Sequence, residues 1–272
     1  MTGTVLLVGC GNMGHAMLTG WLKGALTPDR VTVVEPVAAL RRRAAELGVH
    51  VHAEAAEVPP EARPDLVVLA VKPQVILDVA AGHAGRAGQG ATFLSIAAGT
   101  GLASLAGVLG PAAPILRCMP NTPAAVGAGM LVCCSNGRVA PAMLAFCREL
   151  LAASGSVWMI DDETWMDAVT AVSGSGPAYV FHLIECLADA GVAEGLPDDL
   201  AAELAVQTVH GAGLLARGSE TPPGTLRRQV TSPGGTTAAA LAILMADDGL
   251  APLMKRAVRA AADRSRELGK AS

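Results

Sequence analysis

Two glycine-rich stretches at opposite ends of the chain carry residue types from which chemistry could be built. Near the start, Gly9-Cys10-Gly11-Asn12-Met13-Gly14 follows an apolar run at residues 4–8 and opens a helical pattern reaching about residue 22. Each glycine in the spacing G-x-G-x-x-G has a physical reason. One makes a tight turn, one lets a diphosphate approach closely, and one lets the helix pack close on the strand. Near the end, Ser232-Pro233-Gly234-Gly235-Thr236-Thr237 precedes an alanine-rich helical pattern. A glycine pair at a helix start bares backbone N–H groups in the positive potential of the helix dipole, which suits a carboxylate. Thr236 and Thr237 add hydroxyls that both give and accept a hydrogen bond. A dinucleotide at one stretch and an anionic molecule at the other would make a redox pair.

Further candidates lie between these two. Glu35 closes a second apolar run, 21 residues beyond Gly14, near the spacing expected for a ribose-binding acid. A carboxylate there accepts from a ribose 2′-OH and repels a 2′-phosphate, so the residue leans toward NADH over NADPH. Arg41, Arg42 and Arg43 follow, either softening that repulsion or forming a solvated helix face. Val71-Lys72-Pro73 and Ala97-Ala98-Gly99 end apolar runs, where ligands bind in open α/β sheets. Asn121, in Arg117-Cys118-Met119-Pro120-Asn121-Thr122-Pro123, suits an amide contact at the same mouth or an ordinary turn. Ser173-Gly174-Ser175-Gly176-Pro177-Ala178-Tyr179 opens a long helical pattern, with Ser175 as cap and Pro177 in the first turn as the structural alternative.

Alternating elements must hold these residues. Short apolar runs at 4–8, 31–35, 65–71, 92–97, 115–118, 129–134 and 157–160 read as strands, with residues 50–52 a weaker one. Helical patterns separate most of them. Strands apolar throughout indicate a parallel sheet covered on both faces. After Asp161-Asp162-Glu163, whose charges favour a helix start, all patterns are helical: about 163–172, 177–194, 198–217, 224–230, 234–247 and 250–268. Two domains follow, 1–162 for the dinucleotide and 163–272 for the helices.

Composition narrows the classes. The chain has 272 residues, 51% of them hydrophobic, and a formal charge of −4 without a basic stripe, which argues against nucleic acid. Apolar runs are interrupted by glycine before reaching the length of a bilayer span, and no leader pattern opens the chain. A soluble, cytoplasmic protein is expected. Six cysteines form no C-x-x-C pair and the histidines no H-E-x-x-H spacing, so neither disulfides nor a metal is expected.

Taken together, these motifs resemble those of pyrroline-5-carboxylate reductases over essentially the whole chain. The resemblance rests on the glycine fingerprint, Ala70-Val71-Lys72-Pro73, residues 117–123 and 173–179, Ala190-Gly191-Val192 with Gly195-Leu196-Pro197, and residues 232–237. It implies an α/β Rossmann domain followed by an all-α dimerisation domain that interleaves with a second subunit. NADPH or NADH would reduce 1-pyrroline-5-carboxylate to L-proline, in a homodimer or a larger dimer-based assembly. The resemblance also implies a substrate carboxylate held by Ser232, Gly234 and Gly235, with Ser173, Ser175 and Thr236 nearby and Thr237 beside the ring nitrogen. The coenzyme would lie on Gly9, Gly11, Asn12, Met13, Gly14, Glu35, Val71, Lys72, Pro73, Ala97, Ala98, Gly99 and Asn121. Many relatives carry small polar or basic residues where this chain has Glu35-Pro36, which leaves NADPH preference open.

Other readings remain. A reductase of a different cyclic imine would share these motifs. A hydroxy-acid dehydrogenase of similar plan would use a lysine on the long helix, and residues 177–194 contain none. A non-catalytic NAD sensor would have no use for residues 173–179 and 232–237 together.

Overall fold

The computed structural model describes residues 3–59 and 61–270. Its sheet unit holds residues 1–174 together with 261–272, and residues 175–260 form a second unit. In chain order the sheet unit contains β1 (Val5–Val8), α1 (Asn12–Trp21), β2 (Val31–Val34), α2 (Ala38–Ala45), β3 (His50–His52) and β4 (Leu66–Leu69). It continues with α3 (Ile76–His83), β5 (Thr92–Ser95), α4 (Leu102–Leu109), β6 (Ile115–Met119), β7 (Gly129–Ser135), α5 (Pro141–Ala152), β8 (Gly155–Ile160) and α6 (Met166–Val169).

The eight strands lie in the order β3-β2-β1-β4-β5-β6-β7-β8. The side-chain period of two divides their apolar residues between two cores. Val5, Leu7, Val33, Leu66, Val68, Leu94 and Leu116 pack with Met17, Leu18, Trp21, Phe146 and Leu150 from α1 and α5. Leu6, Val8, Val67, Leu69, Phe93 and Ile115 pack with Ile76, Ala80, Leu102 and Leu105 from α3 and α4. Each such side chain, fully buried, stabilises the fold by about 1.5–3 kcal/mol before entropy is counted.

One pairing departs from the expected parallel sheet: β6 and β7 run antiparallel. Residues 120–128 join them, too few for the crossover of about a dozen residues that a parallel pair needs. A short 3-10 turn at Thr122–Val126 and a left-handed Gly127 reverse the chain instead. Return to the parallel sense at β8 brings Gly155, at φ +147°, against the Gly129 backbone, where a side chain has no room.

Acidic residues at the end of the sheet act differently from one another. Asp162 accepts from the Thr164 N–H at 2.9 Å, as expected for a helix start. Glu163 reaches away from its own turn: Oε1 accepts from buried Arg117 Nη1 at 2.7 Å and from the Leu102 N–H of α4 at 2.8 Å. Three separate elements therefore meet at one carboxylate.

The second unit is all helical: α7 (Gly176–Ala193), α8 (Asp198–Gly218), α9 (Pro223–Gln229), α10 (Thr236–Leu244) and the first half of α11 (Leu250–Lys270). Neither α7 nor α10 has a buried residue within the single chain. Phe181, Leu214, Leu215, Ile243 and Met245 are exposed. Among the described residues, no helix is long and apolar enough to cross a membrane.

Removing the Glu163 carboxylate would strand a buried guanidinium. Glu163→Ala is expected to destabilise the sheet unit by about 3 kcal/mol, read as a lower midpoint in denaturant. An unchanged midpoint would show that Arg117 finds water or another acceptor.

Candidate functional site

The strand order reverses between β1 and β4, since the chain winds outward from β1 in one direction and from β4 in the other. The loops leaving these two strands diverge and open a crevice at their carboxyl ends, the place where open α/β sheets bind ligands. Residues 9–14 form one wall and residues 70–73 the other.

The three fingerprint glycines have different physical reasons. Gly9 sits at φ +89°, and a Cβ there would lie 2.8 Å from the Ala70 carbonyl oxygen. A Cβ on Gly14 would lie 2.5 Å from the Gly9 carbonyl oxygen. Both are required by packing. At Gly11 nothing lies within 4 Å of a Cβ position. The protein has no internal need for glycine there, so the open space fits a molecule that must approach the backbone closely.

No side chain caps α1, which begins at Asn12 with Gly11 as its N-cap. The His15 N–H is the first to close onto the helix, on the Gly11 carbonyl at 2.9 Å. The N–H groups of the first turn remain as donors at the positive end of the dipole. A diphosphate suits that place.

Glu35 holds this turn from behind. It is 5% exposed. Its Oε2 accepts from the Cys10 N–H at 2.7 Å and its Oε1 from the Val37 N–H at 2.9 Å. The carboxylate that sequence spacing assigns to a ribose thus serves the fold as well. Two of the three neighbouring arginines also turn inward. Arg41 donates to the carbonyls of Glu35 and Pro36 at 2.8 and 3.0 Å, and Arg43 to those of Cys10 and Gly11 at 3.1 and 3.3 Å. Arg42 is the exposed member. Burial pushes the Cys10 thiol up to about 11, so it stays protonated at neutral pH.

Lys72 is exposed, and Val71 and Pro73 are half-buried beside it. The Ala97 N–H donates to Ser95 Oγ at 3.3 Å, and Gly99 turns the chain at φ +77°. The far end of α11 packs here: a Cβ on Gly99 would lie 3.7 Å from Leu268 Cβ. Asn121 commits its amide within the fold. Oδ1 accepts from the Met130 N–H at 2.8 Å, and Nδ2 donates to the Ser173 carbonyl at 3.1 Å and Oγ at 3.4 Å. Ser173 lies in a π-helical turn, Thr170–Gly174, that sequence periodicity does not signal. Such turns often mark functional positions. Ser175 follows in helical conformation with no side-chain cap bond, so the expected capping role is absent.

In the helical unit, Gly234 has φ +70° and Gly235 is the extended N-cap of α10. The Gly235 N–H closes a turn on the Ser232 carbonyl at 3.1 Å, and a Cβ on Gly235 would meet Ser232 Oγ at 2.5 Å. Ser232, Gly234 and Thr236 are exposed and Thr237 half-buried. The first N–H closing on α10 is that of Ala239, on the Gly235 carbonyl. Ser232 Oγ lies against the Gly235 backbone, and Thr236 and Thr237 are the first two residues of a helix that no side chain caps. Among the described residues, no group of three or more His, Cys, Asp or Glu could hold a metal.

Comparison with known proteins covers the whole chain. Residues 163–268 match the family model described as pyrroline-5-carboxylate reductase dimerisation, and residues 4–99 match one described as NADP oxidoreductase, coenzyme F420-dependent. Pyrroline-5-carboxylate reductase from Pseudomonas aeruginosa is 40% identical, covering 98% of this chain and 97% of the relative. The Synechocystis enzyme is 42% identical, with 97% of each chain covered. Among solved structures, the Coxiella burnetii pyrroline-5-carboxylate reductase matches with a TM-score of 0.93 at 32% identity, covering 98% of this chain and 99% of its own. The Plasmodium falciparum pyrroline carboxylate reductase with NADP bound matches at 0.84 and 29% identity, with 98% of each chain covered.

The fingerprint glycines separate experimentally. Gly11→Ala is expected to melt within about 1 °C of wild type yet bind NADH and NADPH at least tenfold more weakly, a loss of about 1.4 kcal/mol. Gly9→Ala is expected to lower the melting temperature itself, because φ and the Ala70 backbone both oppose a Cβ. Equal coenzyme affinity for Gly11→Ala and wild type would remove that glycine from the site.

Proposed function

The chain belongs to the pyrroline-5-carboxylate reductase family, and from that premise we propose that it reduces 1-pyrroline-5-carboxylate to L-proline at residues 173–175 and 232–237. The observation that carries this reading is the pairing of two unfilled helix starts. One follows Gly11, where a Cβ would meet nothing within 4 Å, and the other follows the Ser232–Gly235 turn and carries Thr236 and Thr237.

The coenzyme, NADH or NADPH, supplies a hydride to the ring carbon of the C=N bond. The protein must bring a proton to the ring nitrogen, hold the carboxylate and exclude other geometries. The N–H groups at the start of α10, with the Ser232 hydroxyl, bind the carboxylate as they would any anion at a helix N-terminus. Thr237 Oγ1 hydrogen-bonds to the ring nitrogen and orients it, or relays a proton from water. A protonated imine bound directly needs no added acid, and residues 173–179 and 232–237 contain no His, Lys or carboxylate. Holding the ring at two points turns an encounter into an oriented step, which can lower the barrier by several kcal/mol.

On the coenzyme side, Asn12 and Met13 offer N–H groups to the diphosphate, beside Gly11. Residues 71–73 and 97–99 line the nicotinamide end. Glu35, although bonded to the Cys10 and Val37 N–H groups, keeps lone pairs for a ribose hydroxyl, which favours NADH. The second subunit of a homo-oligomer covers the apolar faces of α7 and α10, an assignment supported by their exposure in the single chain. A cytoplasmic setting suits six free thiols.

Thr237→Ala is expected to lower turnover roughly ten- to a hundredfold while coenzyme affinity stays within about twofold, as suits loss of one hydrogen bond to a charged group. Wild-type turnover in that variant would exclude Thr237. Oxidation of NADH and of NADPH by pyrroline-5-carboxylate, run in parallel, tests the lean from Glu35. The analogue lacking the carboxylate should react far more slowly with either, and equal rates would sink the anion role of α10.

A further inference from the structure

Arg43 reaches the glycine turn from α2, and the catalytic reading gives it no role. Its Nη2 donates to the Cys10 and Gly11 carbonyls at 3.1 and 3.3 Å. Glu35 grips the same peptide from its other side through the Cys10 N–H at 2.7 Å. Between them these two side chains fix both polar groups of Cys10. With the carbonyls of residues 10 and 11 drawn toward Arg43, the N–H groups of the next residues are left pointing away from it, into the crevice.

The guanidinium also brings a fixed charge. Arginine does not deprotonate in proteins, so the charge persists at any working pH. Arg43 Nε is buried with no hydrogen-bond partner, so no carboxylate of the fold disperses the charge at that atom. Its field reaches the first turn of α1: the His15 imidazole is held below its ordinary value, first by burial and then by Arg43. Arg43 likewise opposes the burial that raises the Cys10 thiol.

We infer that Arg43 is a positioning residue for the coenzyme diphosphate, clamping the glycine turn by its carbonyls and adding positive potential behind it. Its effect is blind to the 2′-phosphate, because its Nη2 engages the carbonyls of the turn and not the adenosine end. Arg42, on the exposed side, is the arginine available there. This inference rests on the reading of residues 9–14 as the coenzyme site.

The test uses the full chain and three proteins: wild type, Arg43→Met and Arg43→Lys. Dissociation constants for NADH, NADPH and ADP-ribose are measured by calorimetry at low and high salt. Arg43→Met should weaken all three ligands by about the same factor, roughly tenfold, and flatten the salt dependence. Arg43→Lys should restore the salt dependence but only part of the affinity, having the charge without the planar fork. In the same variants the His15 imidazole, followed by NMR, should titrate at higher pH in Arg43→Met than in wild type. A loss confined to NADPH would assign Arg43 to the 2′-phosphate and overturn the inference. So would a lower melting temperature with unchanged affinity, which would leave only a structural brace. If Arg43→Met does not fold, the lysine variant decides alone: undiminished affinity for ADP-ribose overturns the clamp. Failure of wild type to bind any of the three would instead remove the coenzyme reading of the turn.

Discussion

Close approach of Gly9 to Ala70 is the constraint on which the sheet unit depends. Two parallel strands, β1 and β4, must lie side by side while their exits part company. A Cβ at residue 9 would fall 2.8 Å from the Ala70 carbonyl oxygen, so the turn closes only with glycine. Once it closes, α1 starts where its first donors look into the crevice. Gly14 then lets the helix lie against Gly9. The crevice is therefore a by-product of how the strands pack, and the donors it presents are backbone N–H groups, with Glu35 and Arg43 holding the turn that carries them.

Backbone, not side chains, also dominates the other candidate site. Gly234 and Gly235 bend residues 232–235 so that α10 begins uncapped, with hydroxyls beside it. Both helix starts lack a side-chain cap, so their first N–H groups are available to an anion. Such sites suit a reaction in which hydride chemistry resides in a coenzyme. What the protein contributes is a rigid frame.

Much of this was legible in the sequence because local rules and tertiary outcome agree. The glycine fingerprint, the strand runs and the uncapped start at residues 235–237 are written in adjacent residues. What could not be read depends on partners far along the chain. Glu163 serves Arg117 and Leu102, 46 and 61 residues away. Asn121 suits either an amide contact at the sheet mouth or an ordinary turn, and adjacent residues do not show that it ties Met130 to Ser173. Arg41 and Arg43 could soften the charge of Glu35 or form a solvated face, and only the fold shows them bonded to carbonyls. The antiparallel β7 had a local signal in the short connection at 120–128, which apolar patterning alone obscured. The π-helical turn at Thr170–Gly174 has no periodic signature at all.

The end of α11 belongs with the sheet unit, although some ninety residues of helix separate the two in the chain. Ser265 donates to Asp167 Oδ1 at 2.6 Å, and a Cβ on Gly269 would lie 3.0 Å from the Gly99 carbonyl oxygen. The helical unit is thus an insertion, entered after Gly174 and left before Ala261. A sheet fragment cut at Gly174 would lack the segment that covers Gly99 and would leave Asp167 without its hydroxyl. In that sense the end of α11 is a plug for the sheet unit, seated on the turn at Gly99.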